Sequence, residues 1–204
     1  MKIAEEMMNR SFLDDLGVAF LTDKSRLLHN YLVHYERFFP EPNCIDTVAE
    51  IGVQRGGGKW KPRHPLPSLK MWKEFFPQAF IYGMDLKEIE FIEENVFLMQ
   101  GDQRKTDDLI DFADFFGQEA DLILDDGSHD PYDQIMTFQI LQDYVKQGGI
   151  YIIEDLNALA QMKYKPNERI HELLKTIDLS GWDYAWIDSA SAGKQSSIVM
   201  RKKK

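Results

Sequence analysis

The feature that most constrains the fold is an alternation, from Thr47 onward, of short apolar runs with amphipathic stretches. This pattern predicts a parallel sheet with helices on both faces. The predicted strands are residues 47–51, 79–84, 96–99, 121–124, 149–153, 182–187 and 197–201. The predicted helices are residues 68–76, 132–145 and 168–177, with Ser68 as an N-cap and Gly148 as a terminator. The last two strands flank the polar turn 191–194, so we expect a terminal antiparallel hairpin.

The length of the chain suggests one main domain with an appendage. It has 204 residues, of which 44% are hydrophobic, and a chain of this size buries roughly 70% of its unfolded surface. Residues before about 45 have a helical and aromatic pattern that includes Tyr31 and Tyr35. We therefore expect a helical N-terminal cap or interface segment (1–45), a main domain (46–204) and a homo-oligomer.

Composition excludes several classes of partner and compartment. A formal net charge of −10 argues against a nucleic-acid surface, which needs clustered Lys and Arg. No run of 18 apolar residues is present, so no membrane span is expected. The single cysteine, Cys44, excludes an internal disulfide, and the first residues lack the apolar core of a signal peptide. These features favour the cytoplasm.

Three strand ends carry residues that suit a nucleotide-like ligand. In an open α/β sheet, ligands bind at the carboxyl ends of the strands. The first strand ends in Glu50-Ile51-Gly52, in a glycine-rich turn that reaches Gly56 and has neither the G-x-G-x-x-G nor the P-loop spacing. The second ends in Asp85, which can accept hydrogen bonds from both hydroxyls of a ribose. The third precedes Asp102-Gln103, which can bond an adenine amine. These residues are compatible with NAD or with S-adenosylmethionine.

The fourth and fifth strands end in acidic residues. Asp125-Asp126 and Glu154-Asp155 follow strands that we expect to be neighbours, about 4.8 Å apart. Such a cluster needs a cation or protons to offset its charge, and oxygen ligands suit a hard ion such as Mg²⁺. His129 follows within a turn, and an imidazole beside a divalent cation is suited to remove a proton. Ordinary turn and helix-cap roles explain each motif alone, but less well all of them together.

These motifs, in this order, resemble metal-dependent sugar O-methyltransferases of macrolide (mycinamicin) and novobiocin biosynthesis. The cephalosporin hydroxylase group has a similar core. The resemblance covers about residues 20–200, including Thr22-Asp23-Lys24, and is most specific in Asp125-Asp126-Gly127-Ser128-His129 and Ile153-Glu154-Asp155-Leu156. It implies a Rossmann-like class I methyltransferase fold with a seven-stranded, mostly parallel sheet.

The resemblance also implies an activity: transfer of a methyl group from S-adenosylmethionine to a hydroxyl, of a sugar or glycosylated natural product, with help from a divalent metal. It implies His129 as general base and Asp126, Glu154 and Asp155 as metal ligands. The expected cofactor contacts are Glu50, Gly52, Gly56, Ser68, Asp85, Asp102, Gln103 and Asp125. A hydroxylase-like protein with the same cofactor and metal, a NAD-dependent oxidoreductase and a non-catalytic binding module remain alternatives. The acceptor is the least specified part, because the insert 59–67 is basic and proline-rich and no aromatic substrate loop follows Asp155.

Overall fold

The apolar runs that were predicted as strands form a seven-stranded sheet in the computed structural model of the protein. The structure describes residues 11–53, 65–156, 175–188 and 196–204. The strands are β1 (Thr47–Ile51), β2 (Phe80–Asp85), β3 (Val96–Gln100), β4 (Ala120–Asp125), β5 (Val145–Ile153), β6 (Trp182–Asp188) and β7 (Ser196–Lys202). The helices are α1 (Phe12–Phe20), α2 (Leu32–Tyr35), α3 (Pro67–Phe75), α4 (Thr106–Phe115) and α5 (Pro131–Leu141). Three 3₁₀ turns span Glu36–Phe38, Pro42–Cys44 and Gln142–Tyr144.

The strand order is β3-β2-β1-β4-β5-β7-β6. The first five strands are parallel, and β7 is antiparallel to both β5 and β6. The strand order reverses between β1 and β4, and such a switch point opens a crevice at the carboxyl ends of the strands. The predicted parallel sheet with a terminal antiparallel hairpin is confirmed.

Each face of the sheet has its own hydrophobic core. Side chains such as Val48 and Leu122 pack with α1, α2 and α3 on one face. Their neighbours Ala49 and Ile123 pack with α4 and α5 on the other. Because successive residues of a strand point to opposite faces, strands buried on both sides become apolar throughout. Helices on both faces were predicted and are confirmed.

Two predicted helix boundaries are wrong. Ser68 does not cap α3: Leu66 occupies the cap position and Pro67 is the first helical residue, where its fixed φ suits the helix start. α5 ends at Leu141, and Gly148 lies within β5 with a φ of +79°. The β4–β5 register shifts between Ala120 and Leu122, so the start of β5 bulges where a longer helix was expected.

Other predictions fall on residues outside the described ranges. Gly56, most of the helix predicted at 168–177 and the turn at 191–194 are among them, while residues 175–177 form a turn and a bend. Among the described residues, no helix is long and apolar enough to cross a membrane.

Candidate active site

Backbone hydrogen bonds bring the ends of four strands, β1, β2, β4 and β5, together around the switch point. The amide of Asp126 donates to the carbonyl of Ile51 at 3.0 Å, and the amide of Glu154 donates to the carbonyl of Asp125 at 2.9 Å. The amide of Gly52 donates to the carbonyl of Met84 at 2.8 Å. These bonds continue the sheet's hydrogen bonding one residue past β1, β4 and β5. The side chains at these positions are therefore held by the sheet.

A cavity of about 470 Å³ lies beside these strand ends, within the range of roughly 300–1,000 Å³ that is usual for small-molecule sites. Its lining includes four of the predicted cofactor residues, Gly52, Asp85, Asp102 and Gln103, together with His129. The sequence thus identified residues from the ends of three different strands that share one cavity.

The close approach of two strand ends makes glycine necessary at position 52. Gly52 has a φ of +82°, and a Cβ there would lie 2.1 Å from the carbonyl oxygen of Asp126. Real Cβ atoms do not approach backbone oxygen so closely, so a side chain would force β1 and β4 apart. Gly52 was expected to contact the cofactor, and the structure places it in the cavity lining and in close approach to Asp126.

Glu50 and Ser68 do not line this cavity, and Ser68 instead lines a smaller neighbouring cavity. Glu50 is fully buried, accepts a hydrogen bond from Nε1 of Trp72 at 2.8 Å and is bonded to Ser68. Burial raises the pKa of Glu50 to about 7, although Lys24 opposes this rise. Glu50 does not line the cavity, and a contact with the cofactor from Glu50 or Ser68 stays a prediction.

Asp125 is also buried, and Gln103 holds it. Nε2 of Gln103 donates to both carboxylate oxygens of Asp125 at 2.7 Å, and Oε1 of Gln103 accepts the amide of Ser128 at 2.8 Å. Burial raises the pKa of Asp125 to about 7. The side-chain amide of Gln103 therefore fixes the turn after β4. Its contact with the adenine stays a prediction.

The two remaining predicted cofactor residues face the cavity with local partners. Asp102 forms an ion pair with Arg104, and hydrogen bonds from Arg104 lower the pKa of Asp102 to about 2. Asp85 accepts the amide of Lys87 at 3.2 Å. Both carboxylates therefore line the cavity in positions fixed by the turns that follow β2 and β3.

A second, smaller cavity of about 100 Å³ adjoins the first. It shares Gly52 and His129 with the larger cavity, and its polar lining includes Asp126 and Asp155. A ligand in the large cavity and one in the small cavity would therefore meet at His129.

Asp126, His129 and Asp155 can converge on one ion. Each offers a ligand atom, and these atoms lie within 4.8 Å of one another. Nδ1 of His129 is 4.0 Å from Asp126 and Nε2 is 4.0 Å from Asp155. His129 and Asp155 have φ values of +57° and +52°, a strained conformation for residues with side chains. Such strain persists only where surrounding structure enforces it and is typical of functional sites.

Glu154, the third predicted ligand, instead faces Lys24. Nζ of Lys24 lies 2.8 Å from Glu154 and 3.6 Å from Glu50, and it forms a short contact with Asp126. The motif Thr22-Asp23-Lys24 was noticed in the sequence, but no role followed from it. Nearby, the hydroxyl of Tyr31 donates to Asp155 at 2.9 Å.

Buried polar atoms test whether these residues fit a metal. Oε1 of Glu154 and Nδ1 of His129 are buried without a hydrogen-bond partner among the described residues. Buried polar atoms normally have a partner, and a cation would supply one. The donor set of carboxylates and one imidazole also suits a divalent ion. The residues present therefore fit a metal.

The sheet order and the site define a Rossmann-like class I methyltransferase fold. The fibrillarin of Methanococcus jannaschii shares the fold alone, with a TM-score of 0.56 and 15% identity over 81% of this chain and 70% of that chain. The MycE methyltransferase of the mycinamycin pathway, in complex with Mg, SAH and mycinamycin VI, has a TM-score of 0.76. It is 28% identical over 97% of this chain and 56% of that chain.

The chain is a homologue of sugar O-methyltransferases from macrolide and tetracenomycin pathways. Mycinamicin VI 2''-O-methyltransferase of Micromonospora griseorubida and demethylmacrocin O-methyltransferase of Streptomyces fradiae are each 37% identical over 146 residues, 71% of this chain and 36% of theirs. The chain thus spans about a third of the length of these relatives. No family model matches it. The resemblance to the macrolide enzymes is confirmed, whereas similarity to the cephalosporin hydroxylase group stays a prediction.

Proposed function

We propose that this protein transfers a methyl group from S-adenosylmethionine to a hydroxyl of a sugar on a small-molecule natural product. The observation that carries the proposal is the meeting of the two cavities at His129, beside Asp126 and Asp155. One cavity is large enough for the cofactor, and the other has the polar lining that a hydroxyl acceptor needs. The MycE complex, which contains Mg, SAH and mycinamycin VI, supports the same assignment.

The large cavity would hold S-adenosylmethionine. Asp85, at the end of β2, would accept hydrogen bonds from the ribose hydroxyls, and Asp102, after β3, would lie beside the adenine. Gly52 would leave room for the end of the cofactor that carries the methyl group. Glu50 and Asp125, which lie behind the wall, would fix the turns that shape this cavity.

Asp126 and Asp155 would hold a divalent metal, with Glu154 as the third ligand. A bound divalent cation would supply positive charge that favours loss of the acceptor's hydroxyl proton. His129 lies between the two cavities and is the group positioned to accept that proton. Because His129 also lies within reach of the same ion, its role as base or ligand has to be separated by experiment.

Calorimetry with S-adenosylhomocysteine, with and without Mg²⁺, tests the proposal. We expect binding of S-adenosylhomocysteine and negligible binding of NAD, and the reverse preference would overturn the cofactor assignment. Asp85→Ala should weaken binding by about 1–3 kcal/mol through lost ribose contacts. Asp107→Ala, an exposed carboxylate at the start of α4, is the control and should bind as the unchanged protein does.

Turnover tests the role of the metal. We expect transfer to a macrolide with a free sugar hydroxyl to stop in EDTA and to return with Mg²⁺. Full turnover in EDTA would remove the metal from the mechanism. If the protein binds both S-adenosylhomocysteine and Mg²⁺ but methylates no hydroxyl acceptor tested, the hydroxylase-like alternative gains support.

We further propose a cytoplasmic homo-oligomer in which the N-terminal segment 1–45 covers the site. Lys24 and Tyr31 of this segment reach the carboxylates, which supports the covering role.

Phe80 and Phe97 are 46% and 39% exposed on neighbouring strands at one edge of the sheet, which supports association through this edge. Sedimentation of Phe97→Ser tests this: a lower mass is expected, and an unchanged mass would contradict association there.

A further inference from the structure

Lys24 places a fully enclosed cation among three strand ends. Its side chain is 1% exposed, and its ammonium group contacts Asp126 and Glu154 directly, with Glu50 at 3.6 Å. Building on the proposed function, we propose that Lys24 is a positioning residue of the carboxylate site. Its ammonium group holds Asp126 and Glu154 together at the sheet edge before a divalent metal binds.

The backbone around Lys24 holds it in place. Its carbonyl accepts the amides of Tyr31 at 2.8 Å and Leu32 at 3.3 Å. Two residues further on, the side chain and amide of Arg26 both bond to Asp14, a buried carboxylate of α1. The loop is therefore fixed at both its side-chain and backbone contacts, and Lys24 enters the site from a rigid support.

The positive charge of Lys24 compensates the carboxylates around it. Buried carboxylates are costly unless a cation compensates them, and Glu50, Asp126 and Glu154 lie together at this edge. The ammonium group of Lys24 contacts Asp126 and Glu154 and lies 3.6 Å from Glu50, so it offsets part of their negative charge without a metal.

Lys24 contacts only one of the two carboxylate oxygens of Asp126 and of Glu154. Lys24 uses Oδ2 of Asp126 and Oε2 of Glu154. Oδ1 of Asp126 lies on the His129 side, 4.0 Å from Nδ1, and Oε1 of Glu154 is buried without a hydrogen-bond partner among the described residues. One oxygen of each residue is thus held by the lysine, and the other remains for an ion.

The test compares Lys24→Met with Lys146→Met in thermal unfolding with EDTA and then with Mg²⁺. Lys146 is the control for a partly exposed lysine–carboxylate pair: its side chain is 30% exposed, and its Nζ lies 2.9 Å from Asp121 at the opposite end of the same sheet. In EDTA, Lys24→Met should lower Tm by roughly 10 °C, since breaking a buried pair leaves its partners uncompensated. Lys146→Met should lower Tm by about 3 °C or less. Mg²⁺ should raise the Tm of Lys24→Met more than that of the unchanged protein.

A second comparison separates charge from packing. Adding Glu154→Gln to Lys24→Met should recover part of the lost Tm in EDTA, because it removes a carboxylate that has lost its cation. The proposal is overturned if the double variant is no more stable than Lys24→Met, or if Lys24→Met melts like Lys146→Met. If Lys24→Met does not fold, Lys24→Gln takes its place under the same criteria.

The two proposals fail in different ways. If the unchanged protein shows no response to Mg²⁺ and binds none by calorimetry, the metal role in the proposed function fails. The comparison in EDTA still decides whether Lys24 holds the carboxylates. If the unchanged protein binds Mg²⁺ while both lysine variants melt alike, only the proposal for Lys24 fails.

Discussion

At the scale of single residues, His129 is the side chain on which the proposed chemistry depends. It is 28% exposed, and its two ring nitrogens face different carboxylates, Asp126 and Asp155, at 4.0 Å each. If it accepts the hydroxyl proton, His129→Ala should slow methyl transfer by roughly 10²–10⁴-fold and leave Mg²⁺ affinity nearly unchanged. Calorimetry and turnover on a glycosylated macrolide measure the two effects.

A loss of Mg²⁺ affinity in His129→Ala would assign His129 as a ligand instead of a base. His34→Ala is the control, because His34 lies on α2 and lines neither of the two cavities. Glu154→Gln completes the comparison: it should weaken Mg²⁺ binding if Glu154 is the third ligand.

Asp102 gives a prediction of pH dependence at the same scale. Hydrogen bonds from Arg104 lower the pKa of Asp102 to about 2 from an ordinary 3.8. A lowered acid pKa stabilises the fold above the ordinary value, and this contribution is lost as the pH falls from 3.8 through about 2. Arg104→Leu should therefore raise the pKa of Asp102 toward 3.8, as measured by carboxyl ¹³C NMR. Asp178, whose pKa is lowered by Ser180, should not change.

At the scale of elements, the turn after β1 depends on the contact between Gly52 and β4. Gly52→Ala places a Cβ 2.1 Å from the carbonyl oxygen of Asp126, whereas a Cβ at Gly117, with a similar φ of +85°, meets nothing within 4 Å. Gly117→Ala should therefore cost only the conformational strain of about 1–2 kcal/mol. Gly52→Ala should cost clearly more and weaken S-adenosylhomocysteine binding. Denaturant unfolding and calorimetry measure both, and equal losses would contradict the steric argument.

The elements that could be predicted are those in which local pattern and tertiary packing agree. Apolar runs such as 47–51 and 121–124 predicted strands because central parallel strands are buried on both faces. The end of α5 could not be predicted, because Val145 continues the apolar pattern of the helix but pairs with Ala120 in the sheet. The start of α3 was misplaced because Pro67 competes with Ser68 for the boundary.

The candidate site could also be predicted from the sequence only in part. The convergence of Asp126 and Asp155 follows from the rule that ligands bind at the carboxyl ends of parallel strands. Lys24 could not be placed, because its partners Asp126 and Glu154 lie 102 and 130 positions away in the chain. Nor does a strand pattern show that Glu50 and Asp125 lie behind the cavity wall and not within it.

At the scale of the whole molecule, the described part of the N-terminal segment belongs to the core. Leu13, Tyr31 and Tyr35 are fully buried and pack in the same cluster as Trp72 of α3. The side chain of Arg201, on β7, bonds to the carbonyl of Phe38. The segment therefore joins one face of the sheet to the carboxylate site, so stability and site geometry depend on the same residues.

Deletion of residues 1–40 should consequently abolish cooperative unfolding. Truncating three buried side chains such as these costs about 6–15 kcal/mol in sum, at about 2–5 kcal/mol each, which matches the entire stability of a typical domain, about 5–15 kcal/mol. Circular dichroism during heating measures this loss, and an unchanged Tm would contradict the packing argument.

Tyr31→Phe separates the two roles of the segment. It keeps the ring, which stacks on Tyr35 with centroids 5.8 Å apart, and removes the hydroxyl that donates to Asp155 at 2.9 Å. The lost hydrogen bond should cost about 1–3 kcal/mol of stability, far less than the deletion. If this hydrogen bond orients Asp155 for the metal, Mg²⁺ affinity should fall by roughly 10–100-fold, the usual effect of losing a residue that orients a metal ligand. Calorimetry decides: an unchanged Mg²⁺ affinity with a lowered Tm would show that Tyr31 stabilises the fold without orienting Asp155.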